Sequence, residues 1–193
     1  LFNEGLDRQA LIYAQISSYL EPKSDSANYL LGRIFKSINN NERAIKYFKK
    51  VNEYSLVIHD ANIAYAETLY DIEGLTNSKE FLNNMKKSFP DNINYLRTMA
   101  ELFYKADDFE SSIQYYDLIF EKIDKIEFKH WPLFYSSGIA LERGKNWERA
   151  EKQFLTALQF VPNNPQVLNY LGYSWIDQGV NINRALEMIV NAA

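Results

Sequence analysis

The segment from Trp131 to Pro165 limits the possible fold more than any other part of this 193-residue chain. Large and small apolar residues alternate in it at the spacing of a helix face, namely Phe134, Gly138, Leu141, Trp147, Ala150, Phe154 and Ala157. A glycine inside a helix costs about 1 kcal/mol relative to alanine, and a second helix crossing over Gly138 would explain that cost. We therefore predict two closely packed helices. Gly144 would end the first as a left-handed residue, Asn146 would cap the second, and Pro162 would end it.

This pattern resembles the tetratricopeptide repeat, a helix–turn–helix unit of about 34 residues. The resemblance implies an all-α, right-handed α-solenoid in which each unit stacks on the next. Counting from Trp131 and Pro165 places full repeats at 25–58, 59–92, 93–130 and 131–164, and a partial repeat at 165–193. Residues 1–24 would hold the second helix of an earlier repeat. We thus expect a single array with about eleven helices.

The repeats keep the signature to different degrees. The first full repeat has Leu31, Gly32, Phe35, Ala44, Phe48 and Val51, whereas the earlier half-repeat offers Ala10, Ala14, Ser17 and Pro22. In the second, Ala66 and Ser78 are the small residues, and Gly74 is expected to end the first helix. The third is longer by about one helical turn, and the simplest account is a second helix lengthened through Glu121 to Lys125.

Composition excludes several classes of function. The chain has no cysteine, so disulfides and thiolate metal sites are excluded, and its net charge of −4 argues against a nucleic-acid partner. No run of about 18 apolar residues is present, and no membrane span is expected. The sequence contains no glycine-rich phosphate loop, zinc-ligand spacing or serine elbow, so no cofactor is predicted.

The remaining candidates for catalysis have simpler structural roles. His59 falls in an expected turn, and His130 directly precedes Trp131 and Pro132, so both are assigned structural or solvated roles. The pair Asp107 and Asp108 precedes Phe109 at an expected helix start, where aspartate caps the helix and favours its positive end. We therefore predict no catalytic residue and no enzyme activity in this chain.

A concave groove is the better place to look for a binding site. In a right-handed array of helix pairs the first helices line the inner wall, and the repeat register assigns residues to that wall. Those predicted to bind a protein or peptide segment are Tyr29, Arg33, Lys36, Glu67, Tyr70, Arg97, Glu101, Tyr104, Tyr135, Asn169, Tyr170 and Tyr173. Ile63, Asn94, Ile139, Glu142 and Gln166 belong to the same wall.

Two interpretations of these residues stay open. Tyrosine combines contact area, a polar hydroxyl and few rotatable bonds, which suits peptide binding, but the rings would also pack well between neighbouring first helices. Arg33, Lys36 and Arg97 would suit an acidic or carboxylate-bearing segment, or they would form ion pairs with Glu67 and Glu101. The wall lacks the lysine and asparagine clamp that one subset of the family uses for a partner's terminal carboxylate, which argues against that partner.

The sequence thus predicts a protein-interaction scaffold without catalysis, and two alternatives remain. One is a structural module that self-associates through its groove or uncapped ends, because Leu186, Ile189 and Val190 form an apolar face near the C-terminus. The other is the non-catalytic part of a larger enzyme, because the chain is expected to be a fragment that begins in mid-repeat. The motifs Y-L-G-Y-S-W-I-D-Q-G (170–179) and N-R-A-L-E-M-I (183–189) resemble the closing repeat of bacterial repeat proteins. Many of those proteins are exported, which favours the cell envelope over the cytoplasm and leaves the compartment open.

Overall fold

A computed structural model describes residues 4–192, without the side chains of residues 4–8, 10 and 18. That part of the chain contains eleven α-helices and one short 3₁₀ helix (Phe128–His130), and no strand. None of its helices is long and apolar enough to cross a membrane. The chain divides into two compact units, Leu1–Leu102 and Phe103–Ala193.

The first unit holds five helices and most of a sixth. They are α1 (Glu4–Leu20), α2 (Asp25–Ser37), α3 (Asn41–Phe48), α4 (Ile58–Glu73), α5 (Leu75–Ser88) and α6 (Ile93–Lys105), the last of which contains the boundary. From α1 to α5 each helix packs on the next, and α2 also contacts α4. The core of this unit includes Ala14, Leu31, Phe35, Ala44 and Phe48.

The second unit contains the remaining helices. They are α7 (Phe109–Glu121), α8 (Trp131–Arg143), α9 (Trp147–Phe160), α10 (Pro165–Gln178) and α11 (Ile182–Ala192). Each packs on the next, and the most extensive contacts join α8 with α9 and α10 with α11. A continuous core runs between them, with Phe134, Leu141, Phe154, Leu171 and Trp175 as its large side chains.

Small residues allow the two helices of a pair to approach closely, as the sequence predicts. A Cβ atom added to Gly138 would lie 2.6 Å from the ring of Phe154, and Gly32 meets the ring of Phe48 in the same way. Ala150 and Phe154 are fully buried in the same pair. In the pair α4–α5 the buried hydroxyl of Ser78 donates a hydrogen bond of 2.7 Å to the backbone oxygen of Ala66.

The turns inside four of the pairs repeat one backbone motif. A residue with positive φ follows each first helix, and the next N–H donates to the carbonyl five residues earlier, as in a Schellman motif. The residues with positive φ are Asn39, Asp107, Lys145 and Gly179. The prediction for Gly144 is therefore wrong, because Gly144 has a φ of −76° and Lys145 takes the left-handed position instead. Gly74 ends α4 as predicted, with a φ of 80°.

The predicted extension of α7 through Lys125 is also wrong. The helix ends at Glu121, where the N–H groups of Lys122 and Ile123 bond to carbonyls three residues back and tighten the last turn. A local hydrogen bond then stabilises a different path of the backbone, because the N–H of Glu127 donates to Nδ1 of His130 at 3.0 Å.

In the first helix, Ala14 is buried and Ser17 is exposed, whereas the side chain of Ala10 lies outside the described residues.

The N-termini of the helices follow the predicted caps in part. Asp108 accepts a hydrogen bond from the N–H of Ser111 at 3.0 Å, and Asn164 accepts one from Val167 at 3.1 Å. Pro165 occupies the first position of α10, where its missing N–H costs nothing. Asn146 stands at the corresponding position of α9, but its side chain makes no capping bond.

The boundaries of the repeats as units, and their union in a single array, stay predictions.

These two asparagines allow a matched test of the caps. Asn164→Ala should lower the free energy of unfolding by about 1 kcal/mol, because it leaves a backbone N–H of α10 without its acceptor. Asn146→Ala should cost less, since no such bond is lost at α9. Chemical unfolding followed by circular dichroism compares the two variants. An equal loss at both positions would contradict the assignment of the cap to Asn164 alone.

Candidate functional site

The predicted wall residues gather in two clefts, one in each unit. The first cleft lies between α2, α4 and α6, and has a volume of about 580 Å³. Its lining includes Tyr29, Arg33, Lys36, Asp60, Ile63, Glu67, Asn94 and Arg97. The second cleft lies between α8 and α10, and has a volume of about 600 Å³. It is lined by Tyr135, Glu142, Arg143, Gln166, Asn169, Tyr170, Tyr173, Ser174 and Asp177.

Two of the three cationic side chains in the first cleft form ion pairs with carboxylates of the chain itself. The ammonium group of Lys36 on α2 pairs with Glu67 on α4, and Nε of Arg97 lies 3.6 Å from Oε1 of Glu101 within α6. Both pairs agree with the alternative in which these cations bind neighbouring carboxylates. In the described part of the chain no carboxylate pairs with Arg33, which is exposed. The cleft therefore offers one unpaired guanidinium group.

Tyr29 forms the aromatic part of the first cleft. The guanidinium carbon of Arg33 lies 5.8 Å from the centre of the Tyr29 ring, within the range of a cation–π contact. The Tyr29 ring also packs on the core, since its centre lies 6.3 Å from that of Phe48. Burial raises the pKa of the Tyr29 hydroxyl, and the carboxylates of Asp60 and Glu67 raise it further, against the opposing effect of Arg33.

In the second cleft the floor is aromatic. The rings of Tyr135 and Tyr170 meet edge to face, with centres 6.1 Å apart and planes at 89°. Both rest on the buried ring of Phe154, at 6.2 Å and 5.3 Å between ring centres. Tyr173 differs, because its side chain is 58% exposed. Of these three tyrosines, two therefore serve the core and the cleft together, and one projects into solvent.

Charged groups surround this aromatic floor. The hydroxyl of Tyr170 donates to Oε2 of Glu142 at 3.3 Å, and Nε of Arg143 lies 3.7 Å from the same oxygen. Burial, together with the Glu142 carboxylate, raises the pKa of Tyr170 to about 12. The hydroxyls of Tyr170 and Tyr104 in turn raise the pKa of Arg143. Asp177 is exposed, and no cation in the described part of the chain pairs with it.

The structure places most of the predicted binding residues as follows. Tyr29, Arg33, Lys36, Glu67 and Arg97 line the first cleft, and Tyr135, Asn169, Tyr170 and Tyr173 line the second. Tyr104 reaches the Arg143 guanidinium beside the second cleft. Tyr70 and Glu101 line neither cleft, although Glu101 pairs with Arg97. None of this shows that a ligand binds, so the assignment of these residues to binding stays a prediction.

Three charged residues that line the clefts were not predicted from the sequence. Asp60, Arg143 and Asp177 line the clefts, but the register of the wall does not include them. Helical spacing could have found two of them, because Asp60 precedes Ile63 by one turn and Asp177 follows Tyr173 by one turn. Arg143 directly follows the wall residue Glu142, and its guanidinium reaches the cleft because the side chain is long.

Both histidines have packing roles. His59 lies in α4 and not in a turn, where its Nδ1 is 2.8 Å from the hydroxyl of Tyr95 and its ring meets Phe89 edge to face at 4.6 Å. His130 is buried and holds the short 3₁₀ helix through the backbone of Glu127. The residues described contain no group of three or more His, Asp or Glu side chains that could hold a metal ion.

Comparison with known proteins identifies the fold. No protein-family model matches the sequence, and no curated protein is similar to it in sequence. The structure is similar to yeast Tom70, with a TM-score of 0.82 over 94% of this chain and 20% sequence identity. It is also similar to PilF of Pseudomonas aeruginosa, with a TM-score of 0.71 and 17% identity over 88% of this chain and 76% of PilF.

A third similar structure is Cut9 of the APC/C hetero-tetramer Cut9–Hcn1, with a TM-score of 0.71 and 14% identity over 96% of this chain. The chain spans 36% of the length of Cut9 and 38% of that of Tom70. All three are tetratricopeptide-repeat proteins. The predicted fold is thus confirmed: the chain is an all-α solenoid of tetratricopeptide type.

Tyr170 gives the second cleft a measurable response to pH. Its pKa is about 12 in the folded chain against an ordinary value of 10.0, so the folded chain retains a proton that the unfolded chain loses. The contribution to stability is therefore complete below pH 10 and is lost as the pH rises from 10 towards 12. Urea unfolding across that range should show a smaller pH dependence for Tyr170→Phe than for the native chain.

The control for this titration is Tyr54→Phe, which removes a hydroxyl from a ring that is 86% exposed. It should leave the pH dependence of the native chain unaltered. If Tyr170→Phe shows the same dependence as the native chain, the proton on Tyr170 is not coupled to folding, and the pKa of its hydroxyl is not raised by burial and Glu142.

Proposed function

We propose that the chain is a protein-interaction scaffold that binds an extended or helical segment of a partner in the cleft of either unit and performs no catalysis. The observation that carries this proposal is the composition of the clefts. Each combines at least one half-buried tyrosine ring on the core with a charged group at the rim that has no ion-pair partner in the described part of the chain, Arg33 in the first and Asp177 in the second. Such a surface binds side chains through ring area and charge together.

The fold supports the same proposal. Tetratricopeptide proteins similar to this chain are interaction scaffolds, and Cut9 occurs in a complex with Hcn1. The ion pair between Lys36 on α2 and Glu67 on α4 joins two side chains that line the first cleft. Side chains that are already held lose less entropy on binding than those that must be ordered.

The test uses exposed rim residues, since changes to Tyr135 or Tyr170 would also disturb packing on Phe154. The immobilised chain is compared with Arg33→Ala and Tyr173→Ala for the proteins that it retains from a lysate of the source organism. A retained protein is then purified and titrated by calorimetry. We expect at least one of the two variants to weaken binding about tenfold, because few interface residues carry most of the affinity.

The matched control is Tyr54→Ala, which removes an exposed ring that lines neither cleft. All variants should keep the circular dichroism spectrum and melting temperature of the native chain. If the titrated partner binds the native chain and both rim variants equally, the clefts are not the binding surface. Retention of no protein by the native chain would also contradict the proposal.

A second candidate function is self-association through α11. Leu186 and Val190 on this helix are 51% and 72% exposed, whereas Ile189 is half-buried against Gly172 of α10. The apolar face expected from the sequence is therefore narrower than predicted, because Ile189 belongs to the packing with α10. Burying Leu186 and Val190 against a second copy would remove apolar area from water.

Val190→Glu tests this candidate. If two copies associate through α11, sedimentation of the native chain should show a dimer at high concentration, and the variant should be a monomer because a buried carboxylate lacks a partner. Glu187→Gln, an exposed change on the same helix, is the control and should leave the dimer intact. A native chain that is monomeric at all concentrations would exclude self-association.

A further inference from the structure

We propose that the second cleft selects a positively charged side chain of the partner, a lysine or an arginine. The proposal rests on the proposed function and deepens it, since it names the chemistry of the residue that occupies this cleft. It follows from the rings, the carboxylates and the position of the single cation in the cleft, and each of these is considered in turn.

The aromatic rings provide the first condition. Tyr135 and Tyr170 stand edge to face on the cleft floor, and Tyr173 follows Tyr170 by about one turn of α10 with most of its side chain exposed. Cations bind to the faces of such rings within about 6 Å of the centre. The chain already uses this contact elsewhere, because the guanidinium of Arg184 lies 5.1 Å from the centre of the Trp175 ring.

The carboxylates provide the second condition. Glu142 on α8 and Asp177 on α10 both line the cleft, so that negative charge is present on the two helices that form it. Arg143 is the one cation among the lining residues, and the cleft therefore carries a net formal charge of −1. An incoming carboxylate would face two like charges, whereas a cation would be attracted to them.

The position of Arg143 leaves part of this negative charge unpaired. Its guanidinium lies beside Glu142 and contacts the hydroxyls of Tyr104 and Tyr170. Asp177, by contrast, has no paired cation in the described part of the chain. A partner cation can thus bind Asp177 and the ring of Tyr173 without displacing Arg143. This combination of ring and free carboxylate is the feature that selects a cation over a neutral side chain.

The control is an exposed carboxylate of the same unit that lines neither cleft. Asp124 lies between α7 and α8, and its side chain is exposed. Neutralising Asp124 removes the same kind of charge as neutralising Asp177, but away from the clefts. Asp124→Asn is therefore the control for a double variant Glu142→Gln, Asp177→Asn. Glutamine at 142 can still accept the hydrogen bond from Tyr170, which keeps the cleft floor in place.

The experiment selects peptides from a displayed library of random linear sequences on the immobilised full chain. We expect lysine or arginine to be enriched at one position of the selected peptides. The double variant should bind a selected peptide about tenfold more weakly, and Asp124→Asn should bind it as the native chain does. Replacing the enriched arginine by citrulline, or the lysine by norleucine, should cause a similar loss. Added salt should weaken binding to the native chain more than to the double variant.

The possible failures are distinguishable. The selection of a cation is wrong if the selected peptides show no enrichment of basic residues, or if the double variant binds them as tightly as the native chain does. In either case the scaffold function still stands if Tyr173→Ala weakens the binding of these peptides. A library from which no peptide is retained would contradict both the scaffold function and this proposal. Circular dichroism and the melting temperature establish that each variant is folded before its affinity is compared.

Discussion

The close approach of two helices at a small residue is the constraint on which the rest of this structure depends. At Gly138 the absence of a side chain lets the ring of Phe154 lie directly on the backbone of α8, and Gly32 and Phe48 do the same in the first unit. A side chain at either glycine would push the helices apart and open gaps around the rings. Because large and small residues alternate at fixed spacing, the same approach fixes which face of each first helix is buried.

The orientation of the buried face determines what the clefts can present. With Phe134 and Leu141 in the core, the helical repeat turns Tyr135 and Glu142 towards the cleft. Tyr135 nevertheless remains in contact with Phe154, and so does Tyr170 from the next first helix. The two interpretations of the tyrosines are therefore not exclusive, since a ring can pack on the core and still expose an edge and a hydroxyl.

Features that depend on local residue spacing could be predicted from the sequence. Features that depend on competition between alternative hydrogen bonds could not. Pro165 and Asp108 mark helix starts because a missing N–H or a carboxylate has one favourable place there. The end of α7 could not be read in this way, because the N–H groups of Lys122 and Ile123 bond to carbonyls three residues back and no residue type there marks the change. Likewise Lys145, and not Gly144, takes the left-handed position, since the Schellman hydrogen bonds are formed one residue later.

Asp60 and Asp177 were not predicted to line the wall, because their helices contribute one more turn to the clefts than the repeat pattern assigns.

The floor and the rim of a cleft differ in how freely their residues can change, and this limits how a scaffold of this fold could become specific for one partner. Tyr135 and Tyr170 contact the buried ring of Phe154, so a change in either alters packing on the core as well as the surface of the cleft. Arg33, Tyr173 and Asp177 are exposed, and their replacement removes charge or ring area at little cost in stability. If the clefts bind partners as proposed, the floor would provide contact area that suits many of them, and the charges at the rim would distinguish one from another. The two clefts share the first property and differ in the second, because the unpaired charge is positive at Arg33 and negative at Asp177.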